Sequence, residues 1–135
     1  MKIARTVALL ALSLVALSCA STDQKPDEMG TVTGTLSYLE RIALSPEAKA
    51  QIRIVDLDRL DKPGYLVAEK SIESPGQVPI PFELIYWMER VESGHTYALQ
   101  ARIEEGGKVI FKTAEDVKFD AKQPSKQELT LSRAE

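Results

Sequence analysis

The segment Val78–Trp87, VPIPFELIYW, limits the fold more than any other stretch of this 135-residue chain. Val78, Ile80, Phe82, Leu84 and Tyr86 recur at every second position, the period of a strand with one face in a core. Pro79 and Pro81 interleave with them. Proline has no N–H to give to a ladder, and prolines two apart leave both gaps on the same lateral side of the strand. A central strand does not tolerate this. The first half of the segment therefore belongs at a sheet edge or at a crossing between sheets, where it also hinders edge-to-edge aggregation.

The same period runs through the residues before and after it. Val32, Gly34, Leu36 and Tyr38 alternate with Thr31, Thr33, Thr35 and Ser37. Gln51–Leu57 alternates through Ile52 and Ile54, then shifts phase to Val55 and Leu57, which predicts a bulge or a strand buried on both faces. Lys62-Pro63-Gly64 signals a turn into a strand over 66–72, and Ser74-Pro75-Gly76 turns the chain into Val78. After Ser93-Gly94, the run HTYALQARIE puts Tyr97, Leu99, Ala101 and Ile103 on one face. Gly106-Gly107 is a two-residue hairpin signal, since glycine supplies the positive φ of the tight primed turns. Its partner strand carries Val109 and Phe111, Val117 and Phe119 form a short stretch, and Leu129 and Leu131 mark a last strand. Pro46-Glu47-Ala48 offers one helical turn at most. About seven to eight short, mostly antiparallel strands over 31–135 predict an all-β domain. The expected architecture is a β-sandwich of the immunoglobulin or transthyretin kind.

The N-terminus has a different plan. Lys2 and Arg5 precede Val7–Leu17, eleven residues that are apolar except for Ser13, and Ser18-Cys19 follows. Eleven helical residues span only about 16 Å, half of a bilayer core, so a secretory signal over 1–18 is expected rather than a permanent anchor. Ala16-Leu17-Ser18-Cys19 resembles the lipobox of bacterial lipoproteins. That resemblance implies cleavage between Ser18 and Cys19 and acylation of the Cys19 thiol, the only one in the chain. Two or three acyl chains anchor a protein stably where one does not. Ala20, in place of the Asp of inner-membrane retention, implies an outer-membrane lipoprotein facing the periplasm. Ser21–Gly30 is polar, contains Pro26 and has only Met29 as a sizeable apolar side chain, so residues 19–30 are expected to form a lipidated, flexible tether. Cleavage removes Lys2 and Arg5, taking 17 basic residues to 15 against 20 acidic, a formal charge of −5. Such a balance excludes the phosphate-neutralising surface of a nucleic-acid binder.

Chemistry-bearing residues are few. One Cys and one His cannot build a Cys/His zinc cluster, and the one thiol cannot close an internal disulfide. Asp56-x-Asp58-x-x-Asp61 lacks the Gly and bidentate Glu of a calcium loop and reads as solvated loop carboxylates. Glu40 and Arg41 read as a solvated pair. His95 follows a turn and reads as a strand-end surface residue. Catalysis would need a cleft gathering it with two carboxylates. No catalytic residue, metal site or cofactor is expected. Ile85 and Trp87 lie on the face opposite Tyr86, and an exposed Trp suits a protein-binding anchor.

The pieces GTLSYLERIAL, AKAQIRIVDLDRLD, LVAEKSI, QVPIPFELIY and HTYALQARIEEGGKVIF, in this order, resemble the YbaY/YscW family of small lipoproteins. The resemblance covers about residues 34–113, and its most specific parts are VPIPFEL and YALQARIEEGG. Family members commonly show Tyr-Asp after the PFEL strand; here Tyr86 is followed by Trp87. The family includes pilotin-type chaperones of type III secretion, which implies a β-sandwich without catalysis. By that resemblance the chain is a non-enzymatic outer-membrane lipoprotein that binds or helps assemble another envelope protein, such as a secretin. Pro79, Pro81, Ile85 and Trp87 are the expected partner-binding residues. The alternative is an envelope-structural lipoprotein, or one that binds a small apolar ligand in a closed cavity.

Overall fold

The computed structural model describes residues 28–59 and 65–135. The expected signal segment, most of the tether, the turn at 62–64 and Asp61 lie outside the described residues. Eight strands form among those described: β1 Met29–Tyr38, β2 Lys49–Asp56, β3 Leu66–Glu73, β4 Ile80–Trp87, β5 Tyr97–Glu105, β6 Lys108–Thr113, β7 Val117–Phe119 and β8 Ser125–Arg133. Two single 3-10 turns, Leu57–Arg59 and Met88–Arg90, extend β2 and β4. Pro46-Glu47-Ala48 gives one tight turn, in which the Ala48 N–H donates to the Ser45 carbonyl oxygen at 3.0 Å.

The all-β expectation holds, and most pairings are antiparallel. The division into two sheets does not appear. All strands join one hydrogen-bonded sheet in the order β3-β2-β5-β6-β8-β1-β4, with β7 also on β5. β6 is the bridge, because it pairs with β5 along one side and with β8 along the other. β8 then runs parallel to β1. The sheet coils into a nearly closed barrel whose two terminal strands, β3 and β4, face each other. An edge position for β4 is what its prolines demand.

Inward positions of every long strand fill the barrel, among them Val32, Leu36, Ile52, Phe82, Leu99 and Leu129. Burial of β4 reads as strict alternation from Ile80 to Trp87. Tyr38 stacks on Phe111 with ring centroids 4.1 Å apart. The phase shift in β2 marks a strand buried on both faces: Ile54 and Val55 are both fully buried, and the ladder to β5 runs unbroken past them. The bulge lies on β3, where Val67 is the extra residue opposite the Ile54–Val55 step. Gly106-Gly107 closes the β5–β6 hairpin with φ of 57° and 78°, as a primed turn requires. One boundary differs. β1 begins at Met29, inside the span expected to be tether, because Met29 and Gly30 pair with Trp87 and Tyr86.

Candidate functional site

The seam between the two terminal strands is built from local parity. The Met88 N–H donates to the Glu28 carbonyl oxygen at 2.8 Å, in register with the β1–β4 ladder. Hydrogen-bonded pairs alternate along an antiparallel ladder. Ile80, Phe82, Leu84 and Tyr86 therefore turn their backbone groups toward β1, and Pro81, Glu83, Ile85 and Trp87 turn theirs toward the seam. Pro81 thus sits where no N–H is needed. The Glu83 carbonyl oxygen accepts from Lys70 Nζ on β3 at 3.0 Å. From below, Arg90 Nη1 donates to the Val67 carbonyl oxygen at 3.4 Å. Two cationic side chains thus span a gap that has no backbone ladder among the described residues.

The sequence-predicted residues line the β4 side of this seam. Pro79 is exposed just before β4, and Pro81 is exposed within it. Ile85 and Trp87 are 47% and 42% exposed, on the outer face of the barrel. Met29, directly opposite Trp87, is 50% exposed and widens the apolar patch. Alternation alone points to Ile85 and Trp87; adding Met29 requires the register. Ser18 and Cys19 lie outside the described residues.

A polar network closes the end of the barrel next to the Arg90 turn. Asp56, at the end of β2, is 2% exposed and not the solvated loop residue expected from sequence. His95 Nδ1 lies 2.7 Å from Asp56 Oδ2, and its Nε2 lies 3.2 Å from Glu92 Oε2. His95 is therefore a half-buried clamp, not a free surface residue. The Asp58 N–H donates to Asp56 Oδ1 at 3.0 Å, and the Thr96 N–H donates to Asp58 Oδ2 at 2.6 Å. Arg59 pairs with Glu92. Burial works against the charged form of Asp56. The hydrogen bonds from His95 and Asp58, with the charges of His95 and Arg59, outweigh it and hold the carboxyl below its ordinary value. The Tyr97 hydroxyl is pushed up to about 12 by burial, to which the Asp56 charge adds.

The cluster does gather His95 with carboxylates, and both imidazole nitrogens are engaged by them. Among the described residues, Asp56, Asp58 and His95 are those whose ligand atoms converge closely enough to hold a metal ion. Their oxygens already accept from His95 and two backbone N–H groups. Glu40 and Arg41 are both exposed, and no ion pair joins them.

A groove of about 610 Å³ crosses the outer face of β2, β5 and β6, floored by Gln51, Arg53, Gln100, Arg102 and Lys112. Arg53 Nε donates to Gln100 Oε1 at 2.8 Å, and Gln100 Nε2 to Asp116 Oδ1 at 2.7 Å. The groove is open and its walls are as much apolar as polar, unlike the closed apolar cavity that an apolar ligand calls for.

Comparison with known proteins agrees with this architecture. The profile of a family described as type III secretion system lipoprotein chaperone (YscW) matches residues 27–131. The chain is 28% identical over 97 residues to the uncharacterized lipoprotein YbaY of Escherichia coli K12. That match covers 71% of the chain and 51% of YbaY, so the chain spans about half the length of this relative. It is also similar to the solved structure of an alternative pilotin from the type II secretion system of Vibrio cholerae. There the TM-score is 0.72 at 28% identity, over 80% of this chain and 99% of the pilotin.

Proposed function

The chain belongs to the YscW family of type III secretion system lipoprotein chaperones, and from that premise we propose that it is a non-enzymatic, lipid-anchored protein of the outer membrane that binds another envelope protein, such as a secretin, and assists its assembly. The likeness to the alternative pilotin, over nearly all of that protein, carries this reading. Cys19, preceded by Ser18, is the acylation site, and the domain faces the periplasm. Nine residues lie between Cys19 and Met29, so the ten steps from one to the other put the start of β1 at most about 33–36 Å from the anchor along a fully extended chain. The docking surface is the β4 side of the seam, with Pro79 and Pro81 bounding it and Ile85 and Trp87 as its apolar anchors. An exposed Trp beside an exposed Ile supplies the large, low-entropy contact area that interface hot spots favour.

Photocrosslinking from position 87 in intact cells tests the reading. A protein adduct is expected in the acylated chain, with less adduct in Cys19→Ala, where the domain is no longer held at the membrane. An absence of any adduct in both backgrounds overturns it.

A further inference from the structure

Resting on that reading, we infer that the partner docks by strand addition: β3 and β4 part at the seam, and an extended segment pairs with β4 along Ile85–Trp87 and brings a carboxylate to Lys70, which leaves the Glu83 carbonyl oxygen. The backbone argument comes first. Ile85 turns its N–H and C=O groups, and Trp87 its N–H, into the seam, and among the described residues these groups take no partner, while the Trp87 C=O belongs to the 3-10 turn Met88–Arg90. An extended peptide can satisfy them as a new ladder, the mode by which sheet edges recruit strands. Pro81 offers no N–H at the upper end, so the added ladder is confined to the lower half of β4. In that half Ile85 and Trp87 stand exposed on the outer face, where alternate side chains of an added strand would meet them.

The charge argument is independent. Lys70 is the cross-strand partner of Ile52, a fully buried core residue, so its side chain leaves the strand on the inner face of the sheet. Because β3 is terminal, the ammonium reaches across the gap and rests on the Glu83 carbonyl oxygen. Arg90 rests in the same way on Val67. Neither cation has a carboxylate partner among the described residues, whereas Lys49, Arg59 and Arg102 each do. The carboxylates flanking the seam, Glu69 and Glu83, are on alternate positions whose side chains leave by the outer face. An inward charge at a sheet edge deters indiscriminate pairing. A strand that carries its own carboxylate at the facing position converts that deterrent into a charge-assisted contact and becomes the selected partner.

The test uses the full-length acylated chain in cells, with the photocrosslinking residue at 87 as the probe. Ile85→Pro removes one seam-facing N–H while the β1 ladder, which uses the neighbouring positions, stays intact; Ile85→Val keeps both the N–H and most of the side chain. Strand addition predicts adduct reduced about five- to tenfold in Ile85→Pro and little changed in Ile85→Val. Lys70→Glu, at an exposed position, is expected to reduce it similarly and carries the test should Ile85→Pro fail to fold by thermal unfolding. Adduct retained in folded Ile85→Pro overturns strand addition and points to docking through side chains, leaving the partner-binding reading in place. Adduct retained in Lys70→Glu overturns the carboxylate. No adduct even without these substitutions overturns the partner-binding reading itself.

Discussion

Phe82 on β4 lies directly opposite Gly34 on β1, and its ring borders the space that a side chain at position 34 would need. On the other side Gly34 pairs with Gln127 of β8, whose carbonyl oxygen an added Cβ would overlap. Gly30 repeats the aromatic half of this arrangement, since a Cβ there would overlap the ring of Tyr86. Glycine on β1 thus lets an aromatic from β4 and the backbone of β8 close on the same strand.

Gly34→Ala is therefore expected to cost about 2–3 kcal/mol, the range of overpacking in a core that cannot yield. The obstacle is backbone, not a flexible side-chain end. A lower urea midpoint at unchanged slope is the expected result. An unchanged midpoint would show that β1 and β8 can separate at no cost.

Much of this fold was legible because its signals are local. Two prolines and strict alternation identify β4 as an edge strand, Gly106-Gly107 identifies the hairpin, and the phase shift after Ile54 marks a strand buried on both faces. What joins distant segments was not legible. The parallel pairing of β1 with β8 depends on partners more than ninety residues apart, and it is this pairing, with β6, that makes one barrel instead of two sheets. The start of β1 was missed for the same reason, since Met29 and Gly30 look like tether until Trp87 and Tyr86 are placed opposite them. In the candidate site, parity alone exposed Ile85 and Trp87. Lys70 was hidden: alternation puts it on the core face, and only the terminal position of β3 frees it to span the seam.

The Tyr97 hydroxyl accepts from the Glu92 N–H at 2.7 Å and has its pKa pushed up to about 12. The folded state thus keeps its proton where the unfolded state, near 10, has lost it. This contribution is fully present below pH 10 and is lost as pH rises from 10 to 12. Tyr97→Phe is expected to show a shallower loss of stability across that window, measured by urea unfolding at stepped pH. Equal slopes in both proteins would contradict the assignment.

Cys19 is the single thiol of the chain, and the proposed acylation rests on it. With two or three acyl chains the protein should partition into the detergent phase and incorporate an alkyne-bearing fatty acid supplied to cells. Cys19→Ala should do neither while its domain unfolds at the same temperature. Labelling that survives the substitution would place the lipid elsewhere.

Asp56 gives the opposite pH dependence to Tyr97. Its carboxyl is held below its ordinary value of 3.8, by the His95 and Asp58 hydrogen bonds against the effect of burial. Below about pH 4 the unfolded chain takes up a proton that the folded chain still refuses, so stability is lost as pH falls through that range toward the folded value. Above it the contribution is complete. Asp56→Asn removes this titration and should flatten the acid limb of the stability profile relative to the parent protein. At neutral pH it should cost about 1–3 kcal/mol, since the Asn side chain cannot offer two acceptors to the His95 imidazole and the Asp58 N–H. His95→Ala, which leaves a buried carboxylate with only Arg59 and one N–H for support, should cost about 3 kcal/mol. Urea unfolding of the three proteins between pH 3 and pH 7 separates the two effects. Parallel acid limbs for the parent and Asp56→Asn would mean that the clamp at the end of the barrel does not hold the charge, and that the acid sensitivity belongs to other carboxylates.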